Sequence, residues 1–125
     1  RLFKDFRTRN DNVKLGINTT ISILNVLYLP SLMDWIESCD LDHHHFSVLT
    51  DPSCLAITNM TADAMDLATK TLDQRFDYIK KIISDGEGSD GSEFRSHMSK
   101  RDEIRNQDLW NAHPEIAQAM GYISR

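Results

Sequence analysis

One alternating stretch decides the fold class of this chain: Val13-Lys14-Leu15-Gly16-Ile17-Asn18-Thr19-Thr20-Ile21-Ser22-Ile23. Apolar or β-branched residues occupy every second position, and this period of two predicts a strand over residues 13–23. Small polar residues dominate the other face: Lys14, Gly16, Asn18, Thr20 and Ser22. Such a face can line a ligand cavity, and it can equally be the solvent side of a sheet.

A short helix and a second strand follow. Pro30 is well placed to open a helix, and Leu32, Trp35 and Ile36 in the segment Ser31–Ser38 have amphipathic helical spacing. The segment His45–Leu49 is typical of a strand. Because a strand, a helix and a strand within residues 13–49 have the size of a βαβ crossover, we predict an α/β fold with parallel strands. One such unit needs neighbouring strands, so we expect a fragment of a larger sheet.

The pattern becomes helical from residue 61. Apolar residues recur at helical spacing and predict one long helix from Thr61 to about Ser84. A polar, glycine-containing segment, Asp85–Ser92, is predicted to be a flexible loop, and two shorter helices, Glu93–Asn106 and His113–Tyr122, are predicted after it. We therefore divide the chain into an α/β part, residues 1–60, and a helical C-terminal extension, residues 61–125.

Composition limits the class of protein. The chain has 125 residues, of which 40% are hydrophobic and 26% are charged, as in one folded domain. Its formal net charge of −5 argues against non-specific nucleic-acid binding. No apolar run reaches the ~18 residues of a membrane span. With two cysteines and no signal-like segment, we expect a cytoplasmic protein with reduced thiols.

The first residues are unusual for the start of a protein. There is no initiator methionine, and Arg1–Arg7 has the apolar spacing of the last turns of an amphipathic helix. We expect that preceding elements are missing from this sequence.

Two clusters of polar residues have a simple structural interpretation. The run His43-His44-His45 could form a zinc site with Cys39 and Cys54, but the spacing fits no compact ligand pattern, and neighbouring strand residues point to opposite faces. The acidic residues Asp66, Asp73 and Asp77 alternate with lysines and an arginine, which favours a solvated, ion-paired helix face over a catalytic role.

A longer stretch resembles a known superfamily. The segments 13–25, 27–36 and 45–57 resemble the late strands of radical S-adenosylmethionine enzymes, in which an Asn-containing strand end leads to a loop with a second Asn, a helix and a strand closely followed by Pro. The chain is most similar to the twitch-domain group of phage and marine bacterial sequences. The tail, with Lys100–Gln107 and His113-Pro114-Glu115-Ile116, resembles the helical C-terminal end of those proteins.

The resemblance implies a fold and a site. Residues 13–49 would be the last strand–helix–strand section of a partial (β/α)6 barrel. Asn18, Thr20, Ser22 and Asn25 would then contribute to binding S-adenosylmethionine, with Asn18 as the first choice.

One defining motif of the superfamily is absent. The C-x-x-x-C-x-x-C motif supplies three thiolates to a [4Fe–4S] cluster, and Cys39 and Cys54 cannot replace it. The resemblance therefore implies a C-terminal fragment that has no catalytic activity alone and whose partner is the missing N-terminal part of the barrel. The alternative is a small α/β module without catalysis, whose helices bind another protein.

Overall fold

The computed structural model describes residues 13–122. The two strands are β1, Gly16–Ile21, and β2, His43–Val48. The helices are α1, Leu29–Ser38; α2, Ala62–Thr71; α3, Asp77–Asp85; α4, Ser92–Arg105; α5, Leu109–Ala112; and α6, Pro114–Ala119. Short 3₁₀ turns occupy Val26–Tyr28, Ser53–Leu55, Ile57–Asn59 and Gln74–Phe76. The helix predicted at Arg1–Arg7 lies outside the described residues.

The predicted parallel α/β unit is confirmed. Strands β1 and β2 pair in parallel with α1 between them in sequence, and the register runs from Gly16 opposite His43 to Ile21 opposite Val48. Strand β1 is shorter than the predicted range 13–23. At its start the Asp42 carboxylate accepts the hydrogen bond of the Leu15 amide (2.6 Å), which replaces a ladder bond. Strand β2 is shifted from the predicted range 45–49 and begins at His43.

The α/β unit and the C-terminal helices share one hydrophobic core. Ile21, on the inner face of β1, and Phe76, before α3, are fully buried in the same cluster. The ring of Phe46 on β2 lies 6.1 Å from the Phe76 ring. Since apolar burial is the main source of folding free energy, residues 13–60 and the helices after them stabilise each other.

The prediction of one long helix over 61–84 is wrong. Helix α2 ends at Thr71, and α3 begins at Asp77. Leu72 adopts an extended conformation between them and is buried, 2% exposed. The Asp73 side chain then accepts a hydrogen bond from the Arg75 amide (2.9 Å) and starts a new turn. Apolar periodicity alone does not show this break, because both helices face the same core.

The C-terminal segments differ from the prediction in detail. Helix α4 begins at Ser92, inside the predicted loop, and the predicted helix His113–Tyr122 contains the shorter α6. The loop before α4 is held by the Gly88 amide, which donates to the Thr58 carbonyl (2.9 Å), and by the Ser89 amide, which donates to Met60 (3.1 Å). Among the helices of residues 13–122, none is long and apolar enough to cross a membrane.

Candidate functional site

A row of polar side chains lies on one face of the two-stranded sheet. Asn18 pairs in register with His45, and Thr20 pairs with Ser47. All four are exposed, whereas Ile17, Thr19 and Ile21 alternate with them and are half-buried or buried. The predicted polar face of β1 is therefore present, and it is turned away from the core. We call Asn18, Thr20, His45 and Ser47 the polar sheet face.

One end of this face is shaped by a glycine. A side chain at Gly16 would overlap the imidazole of His43, its partner in register. The absence of a Cβ at this position lets the His43 ring lie across β1. The imidazole thus adds a donor or acceptor nitrogen beside the polar sheet face.

The other two predicted site residues form a turn at the carboxyl end of β1. The Asn25 Oδ1 accepts a hydrogen bond from the Ser22 amide (2.9 Å), and its Nδ2 donates to the Thr20 carbonyl (2.8 Å). The Ser22 Oγ accepts from the Leu24 amide (3.2 Å). The Asn25 amide thus imitates a neighbouring strand beside residues 20–22, at the edge of β1 that faces away from β2. Ser22 and Asn25 use their polar groups to fix the loop backbone.

The structure therefore divides the four predicted residues into two pairs. Asn18 and Thr20 project from the exposed face of β1, and their side chains make no hydrogen bond to any residue in the described range 13–122. Ser22 and Asn25 lie just beyond the strand and hold its end. A ligand could bond the first pair directly, while the second pair would position the backbone around it.

A groove lies beside the carboxyl end of β1. Its volume is about 540 Å³, and its walls include Leu24 from the β1–α1 connection, Met98 and Arg101 from α4, and Asp108 and His113 near α5. The carboxyl ends of parallel strands are the common location of ligand sites in α/β proteins. The groove thus places helices of the C-terminal extension next to the candidate site.

A contact between distant residues joins the β1–α1 connection to the C-terminal extension. The Tyr28 hydroxyl lies 3.1 Å from Nδ1 of His113, and the two rings are tilted with centroids 5.4 Å apart. Tyr28 follows the Asn25 turn, and His113 precedes α6. Sequence reasoning missed this pair because the residues are 85 positions apart and no sequence pattern links them.

In the part of the chain that the structure describes, the histidine and cysteine residues do not converge on a metal site. In residues 13–122, no group of three His, Cys, Asp or Glu side chains could hold a metal ion. His44 is turned to the opposite face from its neighbours and makes an edge contact with Phe46 (5.7 Å). Cys39 and Cys54 are free, and burial raises the pKa of the Cys54 thiol.

The acidic residues predicted to be ion-paired have basic partners. Asp66 pairs with Lys70 (2.8 Å), Asp77 with Lys80 (3.8 Å) and Asp73 with Arg75 (2.7 Å). Asp73 belongs to the connection between α2 and α3, so these residues do not form a single helix face as predicted. Their ion pairing is confirmed.

Comparison with known proteins gives no relative. No protein-family model, curated protein or solved structure matches this chain.

Proposed function

We propose that this chain is the C-terminal section of a radical S-adenosylmethionine enzyme, and that its parallel strands belong to the wall of a partial (β/α)6 barrel. The parent protein would cleave S-adenosylmethionine reductively to a carbon radical. The observation that carries this proposal is the parallel β1–α1–β2 unit, whose polar sheet face points away from the core. An exposed polar face opposite a buried apolar one suits the inner wall of a cofactor-binding barrel, because interior and exterior residues alternate along barrel strands.

Within residues 13–122, the edge of β1 that faces away from β2 has no strand partner, although the Asn25 side chain bonds the Thr20 carbonyl and the Ser22 amide there. The carbonyls of Leu15 and Ile21 accept hydrogen bonds from the β2 side, so the alternate residue Asn18 directs its backbone amide and carbonyl to the other edge of β1. Within residues 13–122, β2 is the only strand that pairs with β1. Parallel pairs occur almost always inside larger sheets, because an isolated pair is only marginally stable. The N-terminal part of the barrel is the partner that would supply the neighbouring strand.

Asn18 and Thr20 are the residues proposed to contact S-adenosylmethionine. Their side chains offer amide and hydroxyl groups to the hydroxyls, amine and carboxylate of that cofactor. Ser22 and Asn25 would act indirectly, since their side chains hold the turn at the end of β1. This division agrees with the general location of ligands at the carboxyl ends of parallel strands.

The residues of this chain do not fit a [4Fe–4S] cluster. Three thiolates are needed to leave one iron open to the cofactor, and the sequence has two cysteines. Cys39 is buried, and burial raises the pKa of Cys54, which disfavours a thiolate ligand. The proposal therefore assigns the cluster to the preceding part of the parent protein and no cluster to this chain.

The decisive experiment examines the reading frame that contains this chain. We expect upstream sequence with a C-x-x-x-C-x-x-C motif. After anaerobic reconstitution, the longer protein should bind about four iron ions and release 5′-deoxyadenosine when it is reduced in the presence of S-adenosylmethionine. The 125-residue chain, treated identically, serves as the control and should bind no cluster. A reading frame that begins next to Arg1 and lacks the motif would contradict the proposal and favour the protein-binding module.

A further inference from the structure

Helix α4 presents a basic face in an acidic protein. Lys100, Arg101 and Arg105 follow His97 by three, four and eight residues, which places all four along one side of the helix. The formal net charge of the whole chain is −5. This local positive charge is therefore opposite in sign to the net charge of the whole protein.

The basic face borders a groove with an apolar floor. The groove has a volume of about 660 Å³ and is formed by α4 together with Pro52 and Leu55. Ile104 lies in the same groove among the cations and is 83% exposed. The groove thus combines a charged rim with an apolar surface, and its size lies in the range of small-molecule sites.

The two arginines of this face have no acidic partner in the described part of the chain. None of the ion pairs found within residues 13–122 includes Arg101 or Arg105. The neighbouring carboxylate of Asp102 is buried and accepts hydrogen bonds from Leu109 and Tyr122. Asp108 caps α5 by accepting from the Trp110 amide.

Two further carboxylates lie beside the other end of the basic face. Asp51 and Glu93 border an adjacent depression that also contains His97 and Lys100. They offset part of the charge of Lys100, so Arg101 and Arg105 provide the main attraction for an anion. Guanidinium groups bind phosphate with two parallel hydrogen bonds, which makes arginine well suited to this anion.

The basic face also lies at the carboxyl ends of both strands. Pro52 and Leu55 follow β2, and Leu24 follows β1. Arg101 borders the groove next to Leu24 as well as the groove next to Pro52. The Arg101 guanidinium is therefore at the edge of the sheet where α/β proteins commonly bind ligands.

We propose that this groove binds a small phosphorylated molecule. Its phosphate contacts Arg101 and Arg105, and its apolar body lies along Pro52 and Ile104. A polyanion such as RNA is disfavoured because the protein as a whole would repel it.

Binding is tested on the 125-residue chain with phenyl phosphate and inorganic phosphate, followed by ¹H–¹⁵N NMR titration. We expect saturable shifts of the amides of α4 and of the Arg101 and Arg105 side chains. Phenyl phosphate should bind more tightly than inorganic phosphate, because only phenyl phosphate has an apolar body. No iron or S-adenosylmethionine is present, so the result is independent of the proposed radical enzyme.

A pair of matched variants separates a site from general charge. Arg101→Gln with Arg105→Gln should weaken phenyl phosphate binding about tenfold or more. Lys70→Gln with Lys81→Gln changes the net charge equally at paired, exposed lysines and should change affinity by less than about twofold. Ile104→Ala should weaken phenyl phosphate and leave inorganic phosphate unchanged.

Three outcomes would overturn the proposal. They are the absence of saturable binding, equal affinity in the two double variants, and tighter binding of a short single-stranded RNA than of phenyl phosphate. The amide spectra of all variants should keep the native dispersion, which shows that a loss of binding is not a loss of fold.

Discussion

Asp102 accepts a hydrogen bond of 2.6 Å from the hydroxyl of Tyr122, twenty residues further along the chain, and both residues are buried. The same carboxylate oxygen accepts the Leu109 amide (2.9 Å). One side chain of α4 thus fixes the start of α5 and the segment after α6. A buried carboxylate needs such partners, since its desolvation is otherwise unfavourable.

Removal of this carboxylate should destabilise the protein strongly. Asp102→Ala leaves the Leu109 amide and the Tyr122 hydroxyl without their acceptor, and we expect a loss of about 3 kcal/mol in the free energy of unfolding. Tyr122→Phe should cost about 1 kcal/mol. Urea denaturation of the two single variants and the double variant measures the coupling energy between Asp102 and Tyr122. We expect the double variant to lose less free energy of unfolding than the two single variants together. The exposed Glu103→Ala is the control and should change stability by less than about 0.5 kcal/mol.

The ion pair of Asp73 and Arg75 should make stability depend on pH. The hydrogen bond from the Arg75 side chain holds the pKa of the Asp73 carboxyl below its usual value of about 4. A group with a lowered folded-state pKa stabilises the protein above its unfolded-state pKa, and this contribution is lost as pH falls through the folded-state pKa. Arg75 also contacts Asp34 (2.9 Å) and Glu37 (3.3 Å), so the pair connects α1 with the α2–α3 connection.

Thermal melts of the wild type and Asp73→Asn test this effect. Asparagine keeps an oxygen that can accept from the Arg75 amide, so the substitution removes mainly the charge. The wild type should melt at a higher temperature than Asp73→Asn near neutral pH. This difference in melting temperature should disappear as the pH falls below ~4. Asp66→Asn, at an exposed pair, should give a smaller difference. If the difference in melting temperature between the wild type and Asp73→Asn stays the same down to the lowest pH, the charge of Asp73 does not stabilise the protein.

The hydroxyl of Thr61 should matter because it joins two helices. It accepts from the Ala64 amide (3.2 Å) at the start of α2 and donates to the Ala119 carbonyl (2.7 Å) at the end of α6. Thr61→Val keeps the shape and removes both hydrogen bonds, so we expect a loss of about 1–2 kcal/mol by urea denaturation. Thr61→Ser keeps the hydroxyl and should therefore retain most of the free energy of unfolding of the wild type. Thr69→Val, at an exposed helical position, is the matched control and should have little effect.

Local patterns predicted the strand–helix–strand unit. Alternation along 13–23, helical spacing in Ser31–Ser38 and the strand pattern of His45–Leu49 correctly gave two parallel strands and α1, because each signal depends on local residue preferences within one element. The strand ends were less accurate, because at the start of β1 the Asp42 side chain bonds the Leu15 amide, a contact that periodicity does not contain.

Contacts between distant residues could not be predicted in this way. The break between α2 and α3 depends on the burial of Leu72 and the cap of Asp73, which compete with a continuous helical pattern. The contact between Tyr28 and His113 brings together parts of the chain without any shared motif. The polar face of β1 was visible in the sequence, but the division of its residues into exposed and turn-forming pairs was not.

That division leads to a prediction for the intact parent protein. If Asn18 and Thr20 contact S-adenosylmethionine, Asn18→Ala or Thr20→Val should weaken its binding about tenfold and leave the melting temperature nearly unchanged, because both side chains are exposed. Asn25→Ala should lower both affinity and melting temperature, since it removes two hydrogen bonds that hold the end of β1. Ser84→Ala, on the surface of α3, is the control and should change neither property. Calorimetric titration of the reconstituted protein gives the affinity. Wild-type affinity in both Asn18→Ala and Thr20→Val would exclude the polar sheet face as the cofactor wall, even if the parent protein proved to be a radical enzyme.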